Sequence, residues 1–129
     1  TIINDVSARN LQTRHKQWYF GKSLDDFTPM GPCILSAEAV GAMPELNIRC
    51  YVNGEKRQDS NTCMMIFDIP YIIEELSAGM TWKAGTVIAT GTPSGVALGM
   101  DPSVQKYLAS GDVVRCEIDE IGVLENTIA

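Results

Sequence analysis

The chain has 129 residues, of which 45% are hydrophobic and 20% are charged, so a disordered or fibrous protein is excluded. This length predicts one domain or part of one, and the apolar runs are far shorter than the ~20 residues that span a bilayer. The net charge of −6 argues against nucleic acid as a partner, because neutralised phosphates supply most of that affinity.

Charge is unevenly distributed along the chain. Residues 1–24 carry a net charge of +3, whereas residues 25–129 carry −9. A positive segment in an acidic protein suits a small anionic ligand, although a chance cluster on a solvated face has the same composition.

The cysteines have no spacing typical of a zinc or redox motif, and the chain has a single histidine. They are Cys33, Cys50, Cys63 and Cys116. Free thiols in a reducing, cytoplasmic compartment are the simplest interpretation, with each cysteine acting as a small hydrophobic residue.

The first third of the chain predicts a short strand, a helix and a long loop. Residues 1–3 form the strand, and Asn4 or Asp5 can cap a helix over residues 5–13. Residues 13–31 are polar and aromatic, with glycine and proline, which is typical of a loop. A short strand is predicted over residues 32–36.

The middle of the chain predicts a β-hairpin and a second helix. Residues 46–52 alternate apolar and polar side chains, and the turn dipeptide Asn53-Gly54 leads into a return strand over residues 55–59. Asp68 can cap the second helix. The apolar residues of that helix recur with helical spacing, at Ile69, Ile72, Ile73 and Leu76.

The remaining segments predict strands over residues 86–90, 112–118 and 123–128. The chain therefore has about five to seven strands, a few short helices and no repeating βαβ order. This pattern predicts an α+β, β-rich fold.

Three polar residues share one helical face if residues 5–13 are helical. Asp5, Arg9 and Gln12 are spaced i, i+4 and i+7. A carboxylate can hold a hard cation, a guanidinium can bind an anionic substrate, and an amide can donate or accept hydrogen bonds. An acid, a guanidinium and an amide on one helical face are what a metal-plus-carboxylate site needs. The alternative is an Asp–Arg surface pair worth ~0.3–0.5 kcal/mol.

Two loop residues are further candidates. Lys22 follows a glycine, and a lysine beside a metal could neutralise a developing enolate or alkoxide. Thr92 lies in the sequence TGTPSG, residues 90–95, where it offers a hydroxyl at the end of a predicted strand. The alternatives are that Lys22 is a solvated loop residue and that residues 90–95 form only a structural turn.

Taken together, the motifs of the chain resemble the fumarylacetoacetate hydrolase family. They include residues 4–12 (NDVSARNLQ), 21–25 (GKSLD), 29–32 (PMGP), 52–55 (VNGE) with Gln58 after them, 90–96 (TGTPSGV) and 111–114 (GDVV), in that order. The resemblance implies a mixed β-sandwich roll with a few short helices. It also implies that residues 1–129 form a single, partial catalytic domain, usually found as a homodimer.

The resemblance also implies roles for the candidate residues. Asp5 matches a ligand of Mg²⁺ or Mn²⁺, and Lys22 matches the catalytic lysine near the metal and substrate. Arg9, Gln12 and Thr92 match substrate-binding positions, and Thr92 is also a catalytic candidate. The implied enzyme hydrolyses, decarboxylates or isomerises a 2-oxo or 1,3-dicarbonyl acid through a metal-stabilised enolate.

The chain departs from the family pattern in two places. The family takes further metal ligands from a Glu-x-Glu strand and often carries a water-activating His–Glu pair, both upstream, whereas this sequence starts four residues before Asp5. The expectation is therefore the C-terminal part of a longer enzyme, and the alternative is a non-catalytic dimerising domain or an inactive fragment. Asn10 also replaces an aspartate of many members, which removes a negative charge beside Arg9.

Overall fold

The computed structural model describes residues 1–14, 16–41 and 44–129, so His15, Ala42 and Met43 lie outside the described residues. Within these ranges the chain forms six strands and three α-helices. In chain order they are β1 (Ile2–Ile3), α1 (Arg9–Arg14), β2 (Met30–Gly31), α2 (Ala37–Val40), β3 (Asn47–Val52), β4 (Glu55–Asn61), α3 (Ile69–Ser77), β5 (Val113–Ile118) and β6 (Gly122–Thr127). A turn of 3₁₀-helix spans Phe20–Lys22.

The strands form two antiparallel sheets. Four of them pair in the order β4-β3-β5-β6, and β1 pairs with β2 in a small ribbon that contacts β6. The fold is the β-rich α+β arrangement that the sequence predicts.

The hairpin between β3 and β4 has the predicted turn. Asn53 and Gly54 both have positive φ, at 51° and 80°, as a type I′ turn requires. Asn53 also ties this turn to β5, because its Oδ1 accepts from the Val113 N–H at 2.9 Å and its Nδ2 donates to Asp112 at 2.8 Å. The Ala109 N–H and the Asn53 amide lower the pKa of the Asp112 carboxyl.

The four-stranded sheet has two chemically different faces. Its outer face carries ion pairs such as Arg49–Asp119 at 3.1 Å and Arg115–Glu117 at 2.7 Å. On its inner face Val114 is buried, and Val52 lies directly opposite it in the adjacent strand. The alternation predicted from residues 46–52 therefore separates a charged face from a largely apolar one.

The core is small for a chain of this length. Only Ile2, Leu46 and Val114 are buried hydrophobic residues among those described. The exposed surface is 9075 Å², whereas a folded monomer of 14.1 kDa exposes about 6,700 Å². The excess of roughly 2,300 Å² is surface that this chain does not cover by itself.

Three predicted elements differ from the structure. Residues 32–36 are not a strand, and β2 ends at Gly31, because Pro32 has no N–H with which to extend the pairing. Residues 86–90 form no strand and have no strand partner in the described ranges, and Val87 is exposed. Helix α1 begins at Arg9, later than predicted. Helix α3 begins as predicted, because Asp68 accepts from the Tyr71 N–H at 2.8 Å.

No helix in the described ranges is both long enough and apolar enough to cross a bilayer.

The loop that follows residue 90 is attached to β4 at a point of close approach. Gly95 has φ +108°, and a Cβ at this position would lie only 1.9 Å from the Arg57 carbonyl oxygen. Gly91 has a similar φ of +98°, with no atom within 4 Å of the corresponding Cβ position. Both glycines therefore avoid backbone strain, but only Gly95 avoids a collision.

Alanine substitutions should separate these two effects. We expect Gly91→Ala to lower the free energy of unfolding by ~1–3 kcal/mol through its unfavourable φ alone. Gly95→Ala should lower it further, because the loop must also move away from β4. Urea unfolding of both variants measures the difference, and equal midpoints would contradict the close approach.

Candidate active site

Helix α1 and the 3₁₀ turn at Phe20–Lys22 pack together through a glycine. The Ala8 N–H donates to the Gly21 carbonyl at 2.8 Å. A Cβ on Gly21 would lie 2.7 Å from the Gln12 nitrogen and 2.9 Å from the Ala8 oxygen. The backbones can approach this closely only because residue 21 is glycine, and the contact brings Lys22 to the start of α1.

Lys22 forms an ion pair with Asp5 in the structure. Its Nζ bonds Asp5 Oδ2, and the two side chains are 28% and 44% exposed. Asp5 precedes α1, so the shared helical face predicted for it is wrong. The Asn4 N–H donates to the Pro29 carbonyl at 3.0 Å, and the Val6 N–H donates to the Asn4 carbonyl at 2.9 Å, so residues 4–6 form a tight turn beside the loop before β2 instead of the first turn of a helix.

Arg9 and Gln12 lie on the same side of α1, as their spacing predicts. Arg9 Nη1 donates to Gln12 Oε1, and Gln12 is only 2% exposed. Arg9 Nε is buried and has no hydrogen-bond partner among the described residues. An unsatisfied buried donor costs ~1–3 kcal/mol, so this guanidinium is suited to an acceptor from a ligand or from a further segment.

Thr92 is held by Gln58, to which no role was assigned in the sequence analysis. Gln58 Nε2 donates to Thr92 Oγ1 at 2.8 Å and to the Pro93 carbonyl at 2.7 Å. Thr92 is exposed, and its hydroxyl hydrogen remains available for another acceptor. The contact joins positions 34 residues apart, so no local spacing could have revealed it.

These residues surround one open cleft. Asp5 and Arg9 line it from the segment before and at α1, and Gln58 and Gly95 line it from β4 and the following loop. Its volume of about 1780 Å³ exceeds the roughly 300–1,000 Å³ of small-molecule sites, so it is a trough rather than a closed pocket.

The other three candidate residues are not among those that line the cleft, but each of them contacts a residue that does. Lys22 contacts Asp5, Gln12 contacts Arg9 and Thr92 contacts Gln58. Within the described ranges no hydrogen bond links Thr92 to the other four candidates. The structure therefore joins the candidates into two pairs on one side of the cleft and places Thr92 beside a residue from β4.

Charge in the cleft is predominantly negative. Six carboxylate residues and three basic residues line it, namely Asp5, Asp25, Asp26, Glu55, Asp112 and Glu125 with Arg9, Arg57 and Lys106. An anionic ligand would be repelled by this lining unless a cation accompanied it.

The donor chemistry suits Mg²⁺ or Mn²⁺, because Asp5 presents carboxylate oxygens at the cleft wall. The described residues contain no group of three or more histidine, cysteine or acidic side chains placed to hold a metal. Asp5 is thus one ligand of the right type. Mg²⁺ usually keeps several waters and uses one or two carboxylates, with the rest of its shell supplied by substrate.

The family is established by comparison with known proteins. The profile described as fumarylacetoacetate (FAA) hydrolase, C-terminal, matches residues 1–129. The chain therefore belongs to the fumarylacetoacetate hydrolase family, and the resemblance in its motifs is confirmed.

Its relatives include proteins named as enzymes, one of which has a solved structure. The chain is 51% identical to oxaloacetate tautomerase YisK of Bacillus subtilis, over 99% of this chain and 42% of that protein. A fumarylacetoacetate hydrolase from Exiguobacterium antarcticum matches it with a TM-score of 0.93 and 47% identity, over 99% and 45% of the two chains.

A third relative was solved with a metal and a small acid. Maleylpyruvate hydrolase from Sphingobium sp. SYK-6, in complex with manganese(II) and pyruvate, matches with a TM-score of 0.74 and 37% identity. The match covers 85% of this chain and 38% of that one. The chain thus spans less than half the length of each of these relatives.

The packing of Gly21 can be tested against a glycine in open space. We expect Gly21→Ala to lower the free energy of unfolding by ~1–3 kcal/mol, because its Cβ overpacks α1. The acylation rate of Lys22 should also rise as its contact with Asp5 loosens, measured by mass spectrometry. Gly79→Ala is the control, since nothing lies within 4 Å of its Cβ position. Equal stability of the two variants would refute the close contact.

Proposed function

We propose that this chain carries the substrate side of a divalent-metal-dependent enzyme that acts on 2-oxo or 1,3-dicarbonyl acids. The observation that supports this most directly is that Asp5, which pairs with Lys22, and Arg9, which pairs with Gln12, both line one cleft. Relatives named as a tautomerase and as hydrolases support the class of chemistry. The proposal includes hydrolysis, decarboxylation and tautomerisation, because each of these reactions passes through an enolate.

In this proposal Asp5 holds Mg²⁺ or Mn²⁺ at the cleft wall. A carboxylate has about four lone-pair positions, so Asp5 can accept from Lys22 on one oxygen and bind a cation with the other. Once bound, the cation would act as a Lewis acid toward the oxygens of a 2-oxo acid. It would also offset the acidic lining of the cleft for an anionic substrate.

The neighbouring side chains would bind the substrate and the charge that develops on it. Arg9 would bind a substrate carboxylate, and buried Gln12 would hold the guanidinium in place. Lys22 would stabilise negative charge on the substrate's 2-oxo oxygen during proton transfer or bond cleavage. Thr92, fixed by Gln58, would donate its hydroxyl hydrogen to a substrate oxygen.

A second candidate function is a non-catalytic domain that associates with a second copy. The exposed surface of 9075 Å² favours this possibility, since an excess of roughly 2,300 Å² over a folded monomer is comparable to the area buried by obligate dimers. A homodimer is compatible with the enzyme proposal as well, and a cytoplasmic location suits the four free cysteines.

Calorimetric titration of Mg²⁺ into the chain, with and without oxalate, tests the metal proposal. Oxalate resembles the enolate of pyruvate and can chelate a cation. We expect Mg²⁺ binding that oxalate strengthens and that Asp5→Ala abolishes. Asp26→Ala is a control, because Asp26 lines the same cleft without a proposed ligand role. An absence of binding, or equal loss in both variants, would favour the non-catalytic alternative.

Removal of Lys22 should affect turnover and metal binding differently. We expect Lys22→Ala to lower kcat for oxaloacetate or an acylpyruvate by roughly 10²-fold, by analogy with loss of one oxyanion donor. Mg²⁺ affinity should stay constant or rise, since Asp5 loses a competing cation. Lys83→Ala, in an exposed turn outside the cleft, should change neither quantity. An unchanged kcat in Lys22→Ala would contradict the catalytic role proposed for Lys22.

A further inference from the structure

The inner face of the four-stranded sheet brings two cysteines together. Cys50 on β3 and Cys116 on β5 are directly opposite one another in the antiparallel register. The Cys116 thiol donates to Cys50 Sγ at 3.9 Å, although the two residues are 66 positions apart. Both side chains are partly buried.

The backbone geometry at this pair suits a covalent cross-link. Opposed residues of antiparallel strands have Cα atoms ~4.5–5.5 Å apart, which lies within the ~4.4–6.8 Å range of disulfides. The register is fixed on both sides of the pair, by Val52 opposite Val114 and Ile48 opposite Ile118. A bond between the two sulfur atoms would therefore require little movement of either strand.

The two thiols differ in their surroundings, which gives them different roles. The hydrogen bond from Cys116 and the nearby positive charge of Arg57 lower the pKa of Cys50, whereas the same hydrogen bond raises the pKa of Cys116. Cys50 lines the cleft together with Arg57, so a small reagent can reach it. Because Cys50 lines the cleft and Cys116 is not among the lining residues, Cys50 is the thiol that a small reagent meets first, and Cys116 is placed to react next.

The other two cysteines are arranged differently. Cys33 and Cys63 are exposed, and Cys33 donates to the Ile121 carbonyl at 3.3 Å. Among the described residues, the only hydrogen bond between two sulfur atoms is that of Cys116 with Cys50.

We propose that Cys50 and Cys116 form a reversible oxidation site at the cleft, where a peroxide converts the two thiols to an intramolecular disulfide. The Cys50 thiolate attacks one peroxide oxygen, the O–O bond breaks, and the resulting hydroxide takes up a proton as water. The Cys116 thiol then attacks the Cys50 sulfenic sulfur, the S–O bond breaks, and a second water leaves. Two electrons pass from sulfur to oxygen, and a reducing thiol reverses the change.

The site lies one strand away from a residue that supports the candidate active site. Gln58 is opposite Cys50 in the pairing of β3 with β4, and it holds Thr92 through a hydrogen bond of 2.8 Å. Oxidation would thus act on the strand that positions Gln58, without involving Asp5 or a metal ion.

The test uses the full chain with Cys33→Ser and Cys63→Ser, which leaves only the two opposed thiols. After treatment with hydrogen peroxide, without divalent metal, free thiols are counted by maleimide labelling and the cross-link is identified by peptide mass spectrometry. We expect both thiols to be lost together and both to return with dithiothreitol. Oxidation of Cys50 to a sulfinic acid with Cys116 still free, or a disulfide between chains, would overturn the proposal.

A matched variant identifies the role of each thiol. In Cys116→Ser, Cys50 should stop at the sulfenic acid, which dimedone captures, whereas in Cys50→Ser the remaining Cys116 should react more slowly. Equal peroxide reactivity of the two single thiols would contradict the assigned order. If a serine variant fails to fold, peptide mass spectrometry of the peroxide-treated, unsubstituted chain shows whether Cys50 and Cys116 form the disulfide. None of these readouts depends on catalysis, so their failure is separate from a failure of the proposed function.

Discussion

Strand β3 is the constraint on which the rest of the structure depends, because it is hydrogen-bonded along both edges. It pairs with β4 on one side and β5 on the other. Since a slip of one residue would exchange the two faces of a strand, this double pairing fixes which side chains face inward. Asn53 reinforces the arrangement by bonding the hairpin turn to the first residue of β5. Gln58, Val114 and the two opposed cysteines all take their positions from it.

Local features were predictable where a few adjacent residues determine the backbone. The Asn53-Gly54 turn and the Asp68 cap depend only on near neighbours, and both are present. Residues 86–90 could not be predicted in the same way, because a strand also requires a partner and the described chain supplies none there. The predicted start of α1 was wrong for a related reason, since the Asn4 N–H bonds the distant Pro29 carbonyl and residues 4–6 form a tight turn before the helix begins.

The same distinction applies to the candidate site: contacts within one helix were predictable, and contacts between distant segments were not. Arg9 and Gln12 were predictable from spacing, because they lie within one turn of a helix. The pairing of Asp5 with Lys22 depends on the packing of Gly21 against α1, and spacing alone did not predict it, because it placed Asp5 on a helical face instead. The contacts of Gln58 with Thr92 and of Cys50 with Cys116 join distant positions. They exist only once the sheet and its loop have formed.

The small core and the acidic cleft have a common consequence. A trough whose lining holds twice as many acidic as basic residues does not attract a dianionic acid by its overall charge, and the cation of the proposed function would reverse this local potential. Such a cation needs more oxygen ligands than Asp5 provides, and the wide opening of the trough leaves space for them. Because the chain also leaves roughly 2,300 Å² of surface uncovered, a neighbouring structure that packs on this surface would be placed to supply the remaining ligands of the proposed metal site.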